Sequence, residues 1–230
     1  MIFRSVINSL SSLIIPVQCL SCSAADQILC ARCAHQLLNH LPQSDLEVAQ
    51  GKTIMRIASH LPFGDLVSQV VLGAKDDANP KLERIIIEAL VKARACFDDD
   101  VVLIPIPSTS AARRKRGRDF VLDMTRSLAE LSGDIVIPLL TYTRKVAPQK
   151  SLNAHDRALN LKGALAARTD LAHRFRAHLI EKEILIVDDV LTTGATMLEG
   201  FRAVAAVGAR CLGGISAAHS LNWRMTRSAH

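Results

Sequence analysis

The residues with the strongest claim to chemistry lie in the stretch ILIVDDVLTTGAT, from Ile184 to Thr196. Asp188 and Asp189 set two carboxylates side by side after an unbroken aliphatic run, and Thr192, Thr193, Gly194, Ala195 and Thr196 follow within a few residues. Adjacent carboxylates accept hydrogen bonds from a vicinal diol. A turn of hydroxyls and small residues at the start of a helix turns backbone N–H groups toward an anion, and the helix dipole favours negative charge there. A diol beside a phosphate describes a ligand such as ribose 5-phosphate. A P-loop nucleotidase also ends a strand in an acid, but it requires GxxxxGK[ST], which this sequence lacks. A chance Asp-Asp turn leaves the Thr-Thr-Gly-Ala-Thr segment unexplained.

A second set is formed by Cys19, Cys22, Cys30 and Cys33, two CxxC pairs with seven residues between them. Each pair turns two thiolates toward one centre, and two pairs supply the tetrahedral sulfur shell that Zn2+ prefers. Such a shell is closed to water, so the metal is expected to be structural. Two disulfides and an iron–sulfur cluster both stay open on spacing alone. His35 and His40 read as surface residues, and Cys96 and Cys211 as buried thiols in apolar surroundings.

The third set is cationic. After VVLIPIP, Val101 to Pro107, come Ser108, Thr109 and Ser110, then Arg113, Arg114, Lys115, Arg116 and Arg118. In a doubly wound sheet ligands collect beyond the carboxyl ends of strands, so this segment is expected to face the Asp188 turn and to neutralise a polyphosphate. A solvated or DNA-contacting basic face is the competing reading. Lys75 ends a helical stretch, where capping carbonyls and holding a ligand are equally open. Arg144, Gln149, Leu152, Arg157, Asn160, Gly163 and Ala164 recur at fixed intervals in a long polar segment, as in a loop that closes over a ligand.

The elements that must position these sets are those of an α/β fold. Ile184–Val187 and Val101–Pro107 are continuous apolar runs, as in strands buried on both faces of a parallel sheet. Further strands are expected over Ile54–His60 and Ile135–Leu140, and helices over Phe63–Lys75, Pro80–Phe97, Phe120–Leu131 and Met197–Val207. Residues 1–45 are expected to form an N-terminal amphipathic helix and the cysteine domain, 46–222 the main domain and 223–230 a tail, with the boundary in the polar stretch Leu41–Gln50. Aromatics make up only 3% of the 230 residues, which argues against a base-stacking surface. The net charge of +6 suits an anionic ligand and equally a weak nonspecific affinity for single-stranded DNA. No apolar run is long enough to span a bilayer, and the polar-interrupted N-terminus lacks a cleavage site, so a cytoplasmic location is expected.

The Ile184–Thr196 stretch resembles the phosphoribosyl pyrophosphate (PRPP) motif of type I phosphoribosyltransferases. Together with the cysteine quartet, the IPIP strand, the Arg116-Gly117 pair and the spaced loop, its order resembles the ComF competence family of phosphoribosyltransferase-like proteins. The resemblance spans roughly residues 8 to 217. It implies a type I phosphoribosyltransferase-like sheet with a small zinc domain, and transfer of a phosphoribosyl group to a nitrogen acceptor. It further implies the 5-phosphate on Thr192–Thr196 and the ribose hydroxyls on Asp188 and Asp189. The Mg2+-bound pyrophosphate is then expected near Ser108, Thr109, Arg113 and Arg116, with Arg144, Gln149, Arg157 and Asn160 in the closing loop. A DNA-uptake or helicase partner is implied as well. One departure stands out: the family commonly follows Arg-Gly with Phe-Asn-Gln, whereas this chain has Arg118, Asp119 and Phe120. That departure keeps a catalytically silent sensor in play, and the cysteine knuckle with the Arg113 to Arg118 cluster keeps a zinc-dependent nucleic-acid binder in play. The acceptor and the oligomeric state are not written in the sequence.

Overall fold

The structure, a computed structural model, describes residues 17–50, 53–98, 100–146 and 154–220. The expected N-terminal helix and C-terminal tail lie outside them. Six strands form one sheet in the order β1-β2-β8-β7-β3-β4. They are β1 Gln43–Gln50, β2 Thr53–Phe63, β3 Val101–Pro105, β4 Ile135–Val136, β7 Glu183–Leu191 and β8 Cys211–Ser220. Every pairing except the antiparallel β1–β2 edge is parallel. The central strands carry the continuous apolar runs because helices cover both faces: Val101 to Ile104 and Ile184 to Val187 are all fully buried.

One face is covered by α2 (Asp65–Lys75), α3 (Pro80–Arg94) and α5 (Phe120–Ser132). Helix α3 begins as its sequence dictates, with Pro80 in the first turn and the Asn79 side chain accepting from the N–H groups of Lys81 and Leu82. The cysteine segment and its helix α1 (Ala31–Leu38) pack on the same face, and the His60 ring of β2 bonds the Leu38 carbonyl through Nε2 at 3.0 Å. The opposite face is covered by α9 (Ala195–Ala205), by α8 (Arg176–Glu181) and by a separate two-stranded ribbon, β5 (Leu140–Tyr142) with β6 (Leu165–Ala167). Three short helices complete the described elements: α4 (Ser110–Arg116), α6 (Ala154–Leu161) and α7 (Thr169–Arg174).

Three local expectations change. The stretch read as a polar linker contains strand β1, whose alternating Leu46 and Val48 are buried beneath an otherwise polar sequence. The single strand expected over Ile135–Leu140 is split: Pro138, which has no N–H to donate, separates β4 in the main sheet from β5 in the ribbon. The cationic loop is helical, because Thr109 caps α4 by accepting from the Ala112 N–H and Gly117 closes it with φ +74°.

At the far edge, Arg94 at the end of α3 grips Asp134 with two bonds of 2.8 Å and donates to the Phe97 carbonyl at 2.5 Å. The Asp134 side chain is only 3% exposed and is held by this fork and by the Ser132 hydroxyl, which donates to it at 2.5 Å. Replacing Asp134 with Ala removes the acid from this largely buried ion pair and is expected to lower unfolding free energy by about 3 kcal/mol in urea titrations.

Candidate active site

The carboxyl ends of β7, β3 and β2 open into a cleft of about 600 Å³. Its lining brings together Asp188, Asp189, Thr192 and Thr196 from one side, and Ser108, Thr109 and Arg116 from the β3–α4 segment. Lys75 and Asp76 come from the end of α2, and Tyr142 from the ribbon. These include four of the seven expected diol-and-phosphate residues, with Thr193, Gly194 and Ala195 off the lining, and three of the four expected pyrophosphate residues. Arg113 is exposed and lies off the cleft wall.

Strand β7 runs through both acids to Leu191 before the chain bends. Each carboxylate is oriented by the amide that follows it: Asp188 Oδ1 accepts from the Asp189 N–H at 2.9 Å, and Asp189 Oδ1 from the Val190 N–H at 3.0 Å. Gly194 occupies the left-handed region, φ 72°, at the N-cap of α9, a conformation that lets the turn fold back so that the first amides of the helix face outward. The Thr193 hydroxyl accepts from the Ala195 N–H at 3.5 Å.

Lys75 settles the electrostatics. Its Nζ bonds Asp189 Oδ2, and Phe120 lies beneath it with the ring centre 5.8 Å from the ammonium. Burial works to raise the Asp189 pKa, but the charge and hydrogen bond of Lys75 outweigh it and hold this carboxyl below its usual range. Asp188 goes the other way: burial, then the neighbouring Asp189 charge, push its carboxyl well above the ordinary value. Lys75 itself is raised despite burial, because both acids favour its charged form. Next in sequence, Asp76 reaches the opposite wall, accepting from Arg116 Nε at 2.6 Å and Lys115 Nζ at 3.4 Å.

The replaced triplet also has partners. The Arg118 guanidinium donates to Glu83 at 2.5 Å and to the Ala74 carbonyl at 2.7 Å, bracing the turn that presents Lys75. Asp119 accepts from the Ser108 N–H at 3.1 Å and its hydroxyl at 2.9 Å, while Phe120 is fully buried.

Of the spaced loop residues, Arg144 donates to the main-chain carbonyls of Asn160 and Lys162, at 2.9 and 3.1 Å, at the end of α6. Asn160 contributes its carbonyl to that contact, Arg157 lies within α6, and Gln149 lies outside the described residues. Lys75 was open to two readings in sequence. Asp76 and Tyr142 carried no linear signal at all, since only the fold carries them to one cleft. Burial, then Asp188 and Asp119, push the Tyr142 phenol up beyond any physiological titration.

The four cysteines form a separate centre. Their sulfurs all lie within 4.8 Å of one another. The Cys22–Cys30 separation of 3.7 Å matches the edge of about 3.8 Å expected for a tetrahedron with Zn–S bonds near 2.3 Å. The Cys30 N–H donates to Cys19 Sγ at 3.4 Å, and the Cys19 thiol is held down to about 6, by the main chain of Cys22 first and then of Cys30. A set this compact can hold one metal ion.

Residues 77–220 match the family described as the phosphoribosyl transferase domain. Among solved structures, the chain is similar to adenine phosphoribosyltransferase from Rhodothermus marinus, with 16% identity over 84% of this chain and 90% of that one and a TM-score of 0.40. It is also similar to the enzyme from Saccharomyces cerevisiae, with 13% identity, 85% and 92% coverage and a TM-score of 0.37. A comparison with curated proteins found no match.

Replacing Lys75 with Met strands the acid pair without a cation. The expected loss is about 3 kcal/mol of unfolding free energy near neutral pH. Because the folded Asp189 pKa lies below its unfolded value of 3.8, the contribution is complete above that value and disappears as pH falls through the folded one. Urea titrations of wild type and variant should therefore converge on acidification.

Proposed function

The chain belongs to the phosphoribosyl transferase domain family, and from that premise we propose that it transfers a 5-phosphoribosyl group from PRPP to a nitrogen nucleophile with release of pyrophosphate. The observation that carries the reading is the acid pair at the end of β7 beside the Thr192–Thr196 turn, in a cleft whose facing wall holds Lys75 and Arg116. The ribose hydroxyls bond Asp188 and Asp189, the 5-phosphate takes the amides and hydroxyls of Thr192 to Thr196, and the pyrophosphate, arriving as its Mg2+ complex, lies toward Ser108, Thr109 and Arg116. As the ribose C1–O bond breaks, positive charge grows on the ring and negative charge on the leaving oxygens. The acid pair moderates the first. Lys75, displaced from Asp189 by the ribose hydroxyls, joins Arg116 in stabilising the second.

A second reading, binding without turnover, rests on Asp119. Both donors of Ser108 are already taken by that carboxylate, and the negative charge stands on the side assigned to pyrophosphate. Under it the chain senses PRPP rather than consuming it. The motif order shared with the ComF competence family supports a place in DNA uptake with a helicase or other DNA-processing partner, for which exposed Arg113 and Arg114 offer salt-dependent contact with single-stranded DNA. No described helix is long and apolar enough to cross a membrane. A reducing cytoplasmic setting, which keeps the cysteine sulfurs as thiolates, belongs to the same proposal.

We assign one structural Zn2+ to Cys19, Cys22, Cys30 and Cys33. It ties the loop before α1 to α1 itself, beside the His60–Leu38 contact that joins this segment to β2.

Pyrophosphate release should follow mixing with PRPP and one member of a panel of purines, pyrimidines and amines. Asp188→Asn is expected to lower kcat/KM by about 10²-fold, since it removes an interaction aimed at developing charge. Calorimetric PRPP binding with no release for any acceptor supports the sensor, and no binding at all removes both readings. Elemental analysis should find one zinc per chain, reduced in Cys30→Ser with a lower urea midpoint; an unchanged zinc content would exclude this site.

A further inference from the structure

The phosphate-holding helix α9 carries a buried acid that the chemistry above does not use. Glu199 lies one turn beyond the Thr192–Thr196 bend and is only 6% exposed. Its Oε1 accepts from the Leu165 N–H at 3.0 Å, while Arg202, one turn further on, donates to the Leu165 carbonyl at 2.5 Å and back to Glu199 at 2.7 and 3.0 Å. Two side chains of one helix thus take both main-chain groups of a single ribbon residue.

Antiparallel geometry explains why that residue needs them. Leu165 stands opposite Tyr142 in the β5–β6 ribbon. The ladder bonds Thr143 N–H to Ala164 O and Arg168 N–H to Leu139 O fall on the alternate pairs, so Tyr142–Leu165 is a pair without mutual bonds. The Leu165 N–H and carbonyl therefore point away from β5, and left alone they would be costly in a buried setting. In such a pair the two side chains are also at their closest. Tyr142 lines the cleft, and the segment just before Leu165 is the end of the spaced loop, whose Gly163 and Ala164 carbonyls accept from the Thr143 hydroxyl.

We propose that Glu199, with Arg202, is a positioning residue that locks the ribbon wall, Leu165 and with it Tyr142, to the helix holding the 5-phosphate. This rests on the phosphoribosyl reading of the turn. Ligand on the turn tightens α9, the clasp passes that ordering to Leu165, and Tyr142 starts from a fixed place relative to the ribose. Burial disfavours a charged Glu199, but the bonds from Arg202 and from the main chain of Leu165 and Gly163 outweigh it and keep the acid ionised.

Amide exchange by NMR, with ribose 5-phosphate as the probe, tests the coupling without turnover. In wild type the probe should slow exchange at Leu165 by about threefold, and by reciprocity the clasp should tighten probe binding by the same factor. In Glu199→Ala the probe should bind within about threefold of wild type, yet Leu165 should exchange fast with or without it, because the clasp and not the site is lost. Glu199→Gln, which keeps an acceptor for the Leu165 N–H, should recover most of the protection. In pyrophosphate release, Glu199→Ala should reduce kcat by up to about 10²-fold with little change in KM for PRPP, as expected for misplacement. Probe binding lost in parallel with kcat, or Leu165 protection indifferent to Glu199, would overturn the clasp while leaving the phosphoribosyl reading intact. A wild-type protein that does not bind the probe would instead remove that reading and the clasp with it.

Discussion

Two adjacent carboxylates near the end of a buried strand are costly to keep charged together, and in this protein Lys75 pairs with one of them. The apolar run of β7 brings Asp188 and Asp189, both half-buried, to the sheet's carboxyl edge, where like charges are costly side by side. The ammonium at the end of α2 makes one of them a firm carboxylate and leaves the other easily protonated. The placement of α2, the bracing of its end by Arg118 and the floor supplied by Phe120 all serve that single contact.

The same contact makes the cleft responsive. Lys75 and Asp76, adjacent in the chain, reach opposite walls: one holds the acid pair, the other holds Arg116. The cations suited to a polyphosphate are therefore already paired with acids of the protein. On the proposed reading, a ligand's diol would displace the ammonium from Asp189 and its polyphosphate would displace the Asp76 carboxylate from Arg116.

Around this centre the fold divides its labour between faces. The face with α2, α3 and α5 supplies cations and carries the cysteine centre, which is joined to it by packing and by the bond from His60 to the Leu38 carbonyl. The other face supplies α9 and the ribbon wall, joined through Glu199 and Arg202. The cleft lies where the two meet, beyond the ends of the parallel strands, as the geometry of doubly wound sheets dictates.

By itself the sequence determined what depends on near neighbours. The buried strands were legible as unbroken apolar runs, α3 by its Asn-Pro start, the Thr192–Thr196 turn by Gly194 among threonines, and the cysteine quartet by its two CxxC pairs. Tertiary structure alone decided what depends on residues far apart in the chain. Lys75 meets Asp189 across 114 positions, and Glu199 meets Leu165 across 34. β1 hid in a polar stretch because an edge strand buries only alternate residues, and the strand expected before the ribbon divided at Pro138 because its two halves pair in different sheets. Periodicity reports the face an element buries. The partner it finds there is set by strand order and by the need to satisfy every buried charge and amide, and that need is met only when the chain is folded.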